Sequence, residues 1–105
     1  MAVNNQRLSE KTGIREKVIE EIQELAVEYK IEKVILFGSR ARGDYRERSD
    51  IDLAVYGKDC ARFSLDVDDL TTTLLKYDFV DMYHSVQPPL KKSIEEEGIL
   101  IYEKI

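Results

Sequence analysis

The chain has 105 residues, 43% hydrophobic and 35% charged, which suits one domain with one modest core and leaves little for a second lobe. Its 16 basic and 21 acidic residues give a net charge of −5, which argues against a general nucleic-acid binder with a basic stripe. The lone cysteine, Cys60, rules out an internal disulfide and a cysteine-rich metal site. No apolar run approaches membrane-spanning length and the first residues form no apolar signal region, so the expected location is the cytoplasm.

A single domain is expected over residues 1–105, with the polar residues 1–11 loosely ordered. Apolar residues at 14, 18, 22, 25, 26 and 29 form one face of a helix from Ile14 to Tyr29. Ile31–Phe37 is rich in branched and aromatic residues and ends at glycine, the pattern of a buried strand. Ser39 to Gly43 forms a short helical turn that Gly43 ends, and Asp44–Ser49 is a charged loop. From Asp50 to Tyr56 the chain alternates. Ile51, Leu53 and Val55 take one side of a strand; Asp50, Asp52, Ala54 and Tyr56 take the other. Ser64 caps a helix to about Lys76 that turns Val67, Leu70, Thr71 and Leu74 inward. Asp78–His84 is a third strand, Pro89 opens a helix to about Glu97, Gly98 stops it, and Ile99–Tyr102 is a last strand. The order predicts an α+β domain: a small mixed four-stranded sheet with helices packed on one face.

The chemistry concentrates between Gly38 and Asp52. Residues i and i+2 of a strand point to the same side, roughly 6.6 Å apart, so Asp50 and Asp52 converge on shared cations. Hard oxygen ligands suit magnesium, and two ions about 4 Å apart can hold both the entering and leaving oxygens of a phosphoryl displacement. Phe37-Gly38-Ser39 ends a strand, turns closely and opens a helix, an arrangement that favours an anion. Arg42 brings a planar fork within reach of the same phosphates. Asp81 completes the set if its strand lies beside Asp50 and Asp52 on the polar face, where it serves as third metal ligand and general base. His84 then faces away from the cleft. Arg46 and Arg48 either keep the loop soluble or meet an acceptor.

Gly38-Ser39, ten residues, then Asp50-Ile51-Asp52 resembles the signature of the DNA polymerase beta nucleotidyltransferase superfamily. "LFGSRARGD", "SDIDLAV", "VDMY" and "EEEGILIYE" resemble its small prokaryotic branch, the minimal nucleotidyltransferases, over nearly the whole chain. The resemblance implies a toxin–antitoxin role in which the transferase is the antitoxin. It would move AMP from ATP onto a tyrosine of a HEPN-domain toxin partner. Gly38 and Ser39 would hold the triphosphate, Asp50 and Asp52 the metals, and Asp81 would act as base. The short chain also favours a protein acceptor, since nucleotide and metals occupy most of one sheet face. The alternatives are transfer to a small hydroxylated compound with a second subunit, and a silent antitoxin that acts by binding alone.

Overall fold

The computed structural model describes residues 4–84 and 86–104. Asn4 opens the first helix: its side chain accepts the Arg7 amide at 3.0 Å, capping α1 (Asn5–Thr12). Gly13, at φ 71°, closes that helix in the left-handed region. Leu8 and Thr12 are buried, and Thr12 Oγ1 donates to the Leu8 carbonyl at 2.7 Å. The expectation of loose order over residues 1–11 is therefore corrected for residues 5–11. A helix with one apolar residue facing the core gives almost no periodic signal, and its caps are the only local marks.

The remaining elements follow as α2 (Glu16–Glu28), β1 (Lys33–Phe37), α3 (Ser39–Arg42), β2 (Ile51–Tyr56), α4 (Cys60–Leu70), β3 (Tyr77–Asp81), α5 (Pro88–Glu97) and β4 (Ile99–Glu103). The sheet is four-stranded in the order β3-β2-β1-β4. β1 runs antiparallel to β2 and β4, and β2 runs parallel to β3. The parallel pair requires a crossover, which α4 supplies. Val34, Leu36, Ile51, Leu53, Val55 and Ile101 turn to one face and pack with Leu8, Val18, Ile22, Phe63 and Val67 from α1, α2 and α4. On the other face α5 covers only part of the sheet: a side chain at Gly98 would collide with Ile35 and with the Ile94 carbonyl. The sheet is thus mixed, as expected, with its main helical layer on one face and α5 as a partial cover on the other. Among the described residues no helix is long and apolar enough to cross a membrane.

Two elements, α4 and β3, differ in their bounds from those the sequence predicts. α4 begins at Cys60 and ends at Leu70 rather than running from Ser64 to Lys76. Its end falls before three threonines, whose branched side chains are stiff in a helix. Thr71 Oγ1 returns to the Val67 carbonyl at 2.6 Å, and Thr72 is drawn to Glu21. Leu70 and Leu74, expected inward, are 58% and 103% exposed. β3 in turn ends at Asp81 rather than His84, because Asp81 Oδ1 accepts the Tyr83 amide at 3.0 Å and turns the chain.

Arg40 ties the functional end of the sheet together. It is 1% exposed, and its guanidinium donates to the carbonyls of Thr12 (2.9 Å), Ser49 (3.0 Å), Glu47 (3.0 Å) and Arg46 (3.4 Å). The Tyr45 ring lies 5.0 Å from the guanidinium carbon. Burial lowers its pKa, yet an arginine stays charged where a lysine would be pressed to lose its proton. A lysine cannot reproduce the planar fork, and each buried carbonyl left without a donor costs about 1–3 kcal/mol. Arg40→Lys is expected to lower unfolding free energy by about 2–4 kcal/mol in urea titration. A loss below about 0.5 kcal/mol would show that the loop holds itself.

Candidate active site

β1 ends at Gly38, which adopts φ 77°, ψ −157° before α3 begins. A side chain there would be strained at this positive φ and would push the Asp52 carboxylate aside. Ser39 follows, half-buried, as the first residue of α3. The amides of a first helical turn point outward without intrahelical acceptors.

Asp52 lies between two strands. It pairs with Phe37 of β1 on one side and with Asp78 of β3 on the other. Residues in register on neighbouring strands point to the same face, so Asp52 and Asp78 share the face opposite the core residues Ile51 and Leu53. Asp50, exposed just before β2, takes that side by alternation. Burial raises the Asp52 carboxyl to about 6, helped by the negative charges of Asp78 and Asp50, with Arg42 pulling it back. Among the described residues no lysine, arginine or histidine forms an ion pair with Asp50, Asp52 or Asp78.

This donor set fits a hard divalent cation. Three carboxylates bear on one region with no ion-pair partner among the described residues, and burial together with the other two charges holds Asp52 high against the pull of Arg42. Among the described residues no three such groups enclose an ion unaided. A hard cation held there would keep waters and take substrate phosphate oxygens as further ligands.

Asp81 does not join this set. It pairs with Val55, whose side chain lies in the core, so Asp81 faces the helical side, about 10 Å along β3 from Asp78. Its Oδ2 lies 2.7 Å from His84 Nδ1, and it adds to the rise that burial imposes on the Cys60 thiol. The sequence-derived placement of Asp81 beside Asp50 and Asp52 is therefore corrected. His84 lies beyond the end of β3, paired with Asp81 and off the face that Asp52 and Asp78 share. The β3 carboxylate that shares the face of Asp52, and that the sequence did not single out, is Asp78. A signal for it was present: Asp78 and Asp81 are an odd number of residues apart and must face opposite sides of a strand. Tyr77 and Phe79, stacked at 5.4 Å, claim the core side and leave Asp78 outside. Arg42 is exposed, with Nε 3.4 Å from Asp44 Oδ2, near enough to the acidic face to lower Asp52.

The family described as Polymerase beta, Nucleotidyltransferase matches residues 20–105. The chain belongs to that family. This nucleotidyltransferase is 47% identical over 99 residues to a Methanocaldococcus jannaschii protein named a protein adenylyltransferase, covering 83% of the chain and 97% of the relative. A second protein of that organism, bearing the same description, is 34% identical over 92 residues, with 84% and 94% covered. Among solved structures, a toxin–antitoxin crystallised with AMP-PNP superposes with a TM-score of 0.65 at 25% identity, covering 82% of this chain and 73% of that one. A structure described as a minimal nucleotidyltransferase gives 0.61 at 26% identity, with 92% and 95% covered.

The raised Asp52 makes the nucleotidyltransferase less stable as pH rises without metal. The folded state holds the Asp52 proton up to about 6, whereas the unfolded chain releases it near the ordinary 3.8. Between those values the folded state binds more protons, so stability falls with increasing pH. In calorimetry with chelator, Asp52→Asn should raise Tm by a few degrees near pH 7.5 and by almost nothing below pH ~4. An equal gain at both pH values would remove charge as the cause.

Proposed function

We propose that this nucleotidyltransferase transfers AMP from ATP to a tyrosine hydroxyl of a partner protein, and that it acts with magnesium in the cytoplasm as the antitoxin of a HEPN-domain toxin. The observation that carries this reading is the in-register pair Asp52 and Asp78 on the open sheet face, with Gly38 held against Asp52. The relatives named protein adenylyltransferases and the toxin–antitoxin neighbour with AMP-PNP support the choice of nucleotide and of a protein acceptor.

In this reading Gly38 brings the backbone close to the triphosphate, and Ser39 donates its hydroxyl to it. Arg42 exchanges its exposed partner Asp44 for a phosphate oxygen. Asp50, Asp52 and Asp78 would hold magnesium, which when bound neutralises phosphate charge and polarises the reacting phosphoryl group. Asp78 accepts the proton of the acceptor hydroxyl. The acceptor oxygen bonds to the α-phosphorus, the bond from that phosphorus to the β-bridging oxygen breaks, and pyrophosphate leaves with the electron pair. Positioning and charge stabilisation supply most of the acceleration.

The test is incubation with α-labelled ATP, magnesium and a HEPN-domain protein as acceptor. Label should appear on the partner's tyrosine. Asp78→Asn should slow transfer by roughly 10²–10⁴, as for a missing general base. Asp81→Asn should transfer AMP within a few-fold of the parent. Loss of transfer in Asp81→Asn with Asp78→Asn active would reverse the face assignment. A tight complex without label would favour an antitoxin that acts by binding alone.

A further inference from the structure

The loop from Thr71 to Lys76, between α4 and β3, is tethered at several points. Thr72 donates its amide at 2.9 Å and its hydroxyl at 3.0 Å to Glu21 Oε1 on α2, and Arg15 donates to the Thr72 carbonyl. The Leu75 amide donates to Thr73 Oγ1 at 3.1 Å, and the Lys76 carbonyl accepts the Ile51 amide at 2.8 Å. This anchored segment presents Leu74 to solvent at 103% relative exposure while Leu75 packs against the core. Leu74, Leu75 and Lys76, with Arg48 and Asp50, line a cleft of about 540 Å³.

The cleft's position bears on the direction of transfer. The sheet order β3-β2-β1-β4 puts the Gly38–Ser39 turn on the β1 flank of Asp52 and puts Asp78 on the outer strand of the other flank. The cleft borders Asp50 and the residues leading into β3. In-line displacement places entering and leaving oxygens on opposite sides of the phosphorus. With the β- and γ-phosphates at Gly38–Ser39, the entering hydroxyl approaches from the β3 flank. Charge also selects the occupant. The chain carries a net charge of −5, yet Arg48 and Lys76 stand exposed on this cleft, and Asp50 is taken up with the cation in the reading above.

We propose that this cleft is the acceptor site, and that it seats an acidic segment of a protein that presents the acceptor hydroxyl. An apolar side chain of the segment lies on Leu74, and its carboxylates meet Arg48 and Lys76. The acceptor oxygen forms its bond to the α-phosphorus, its proton passes to Asp78, and pyrophosphate departs on the β1 flank. This inference rests on the nucleotidyl-transfer reading above.

The probes are a random glutamate–tyrosine copolymer and a lysine–tyrosine copolymer, each incubated with the full chain, magnesium and α-labelled ATP. Binding of a non-hydrolysable ATP analogue is measured alongside by calorimetry. The acidic copolymer should be labelled at least about tenfold faster than the basic one, the scale expected of complementary surface charge. The double variant Arg48→Glu, Lys76→Glu should raise KM for the acidic copolymer by roughly tenfold and shift preference towards the basic one. Leu74→Ser, at a fully exposed position, should raise KM by about three- to tenfold. In all three, kcat and affinity for the ATP analogue should stay within about twofold. Unchanged KM in the variants, or nucleotide binding without labelling of either copolymer, overturns the acceptor site and leaves the nucleotide site standing. Absence of magnesium-dependent nucleotide binding overturns the transfer reading itself.

Discussion

A buried arginine, with no carboxylate partner among the described residues, organises the end of the sheet that carries the candidate site. Arg40 sits in the short helix that follows Gly38, and its fork gathers carbonyls from the end of α1 and from the loop that leads into β2. Those carbonyls belong to backbone with no ladder of its own to join. Satisfying them with one rigid cation fixes where β2 begins relative to where β1 ends. The spacing between the Ser39 turn and Asp52 depends on that fix. The register Phe37 to Asp52 then brings the strand end and the carboxylate together. α1 thus takes part in the site indirectly, since the Thr12 carbonyl is one of the acceptors.

The site itself is assembled against local stability. Asp52 is half-buried beside Asp78 and Asp50 with no ion-pair partner among the described residues, and its carboxyl holds its proton to about 6. Neutral residues there would serve the fold better. In the reading proposed above a divalent cation would relieve that repulsion, so that binding and folding pull in the same direction only when it is bound. α5 covers the region of Ile35, away from the carboxylates, and leaves the acidic end of the sheet uncovered.

The two aspartates of β3 show how far strand reasoning reaches and where it stops. Period-two alternation places Phe79 and Asp81 on one side, and this holds in the structure. What alternation does not supply is which side faces the helices. That was settled by Tyr77 and Phe79, whose stacked rings need the core more than Asp81 needs the cleft. Asp81, left on the helical side near the sheet's end, becomes a turn-forming residue paired with His84. The misread end of α4 has the same origin. Leu70 and Leu74 keep helical spacing, but the threonine run and the tether to Glu21 end the helix before the second of them.

The sequence by itself determined the mixed sheet, the order of most of its elements, the turn at Gly38–Ser39 and the pairing of Asp50 with Asp52. All of these rest on contacts within a few residues, on periodicity, or on a glycine at a close turn. The first helix, the face on which each β3 aspartate lies and the burial of Arg40 were decided only by tertiary structure. Each depends on what a distant segment presents: the carbonyls that Arg40 meets, the strand beside Asp78, the core that takes Leu8. Local spacing carries no information about which partner a side chain finds across the sheet, because that partner is chosen by the packing of the whole core.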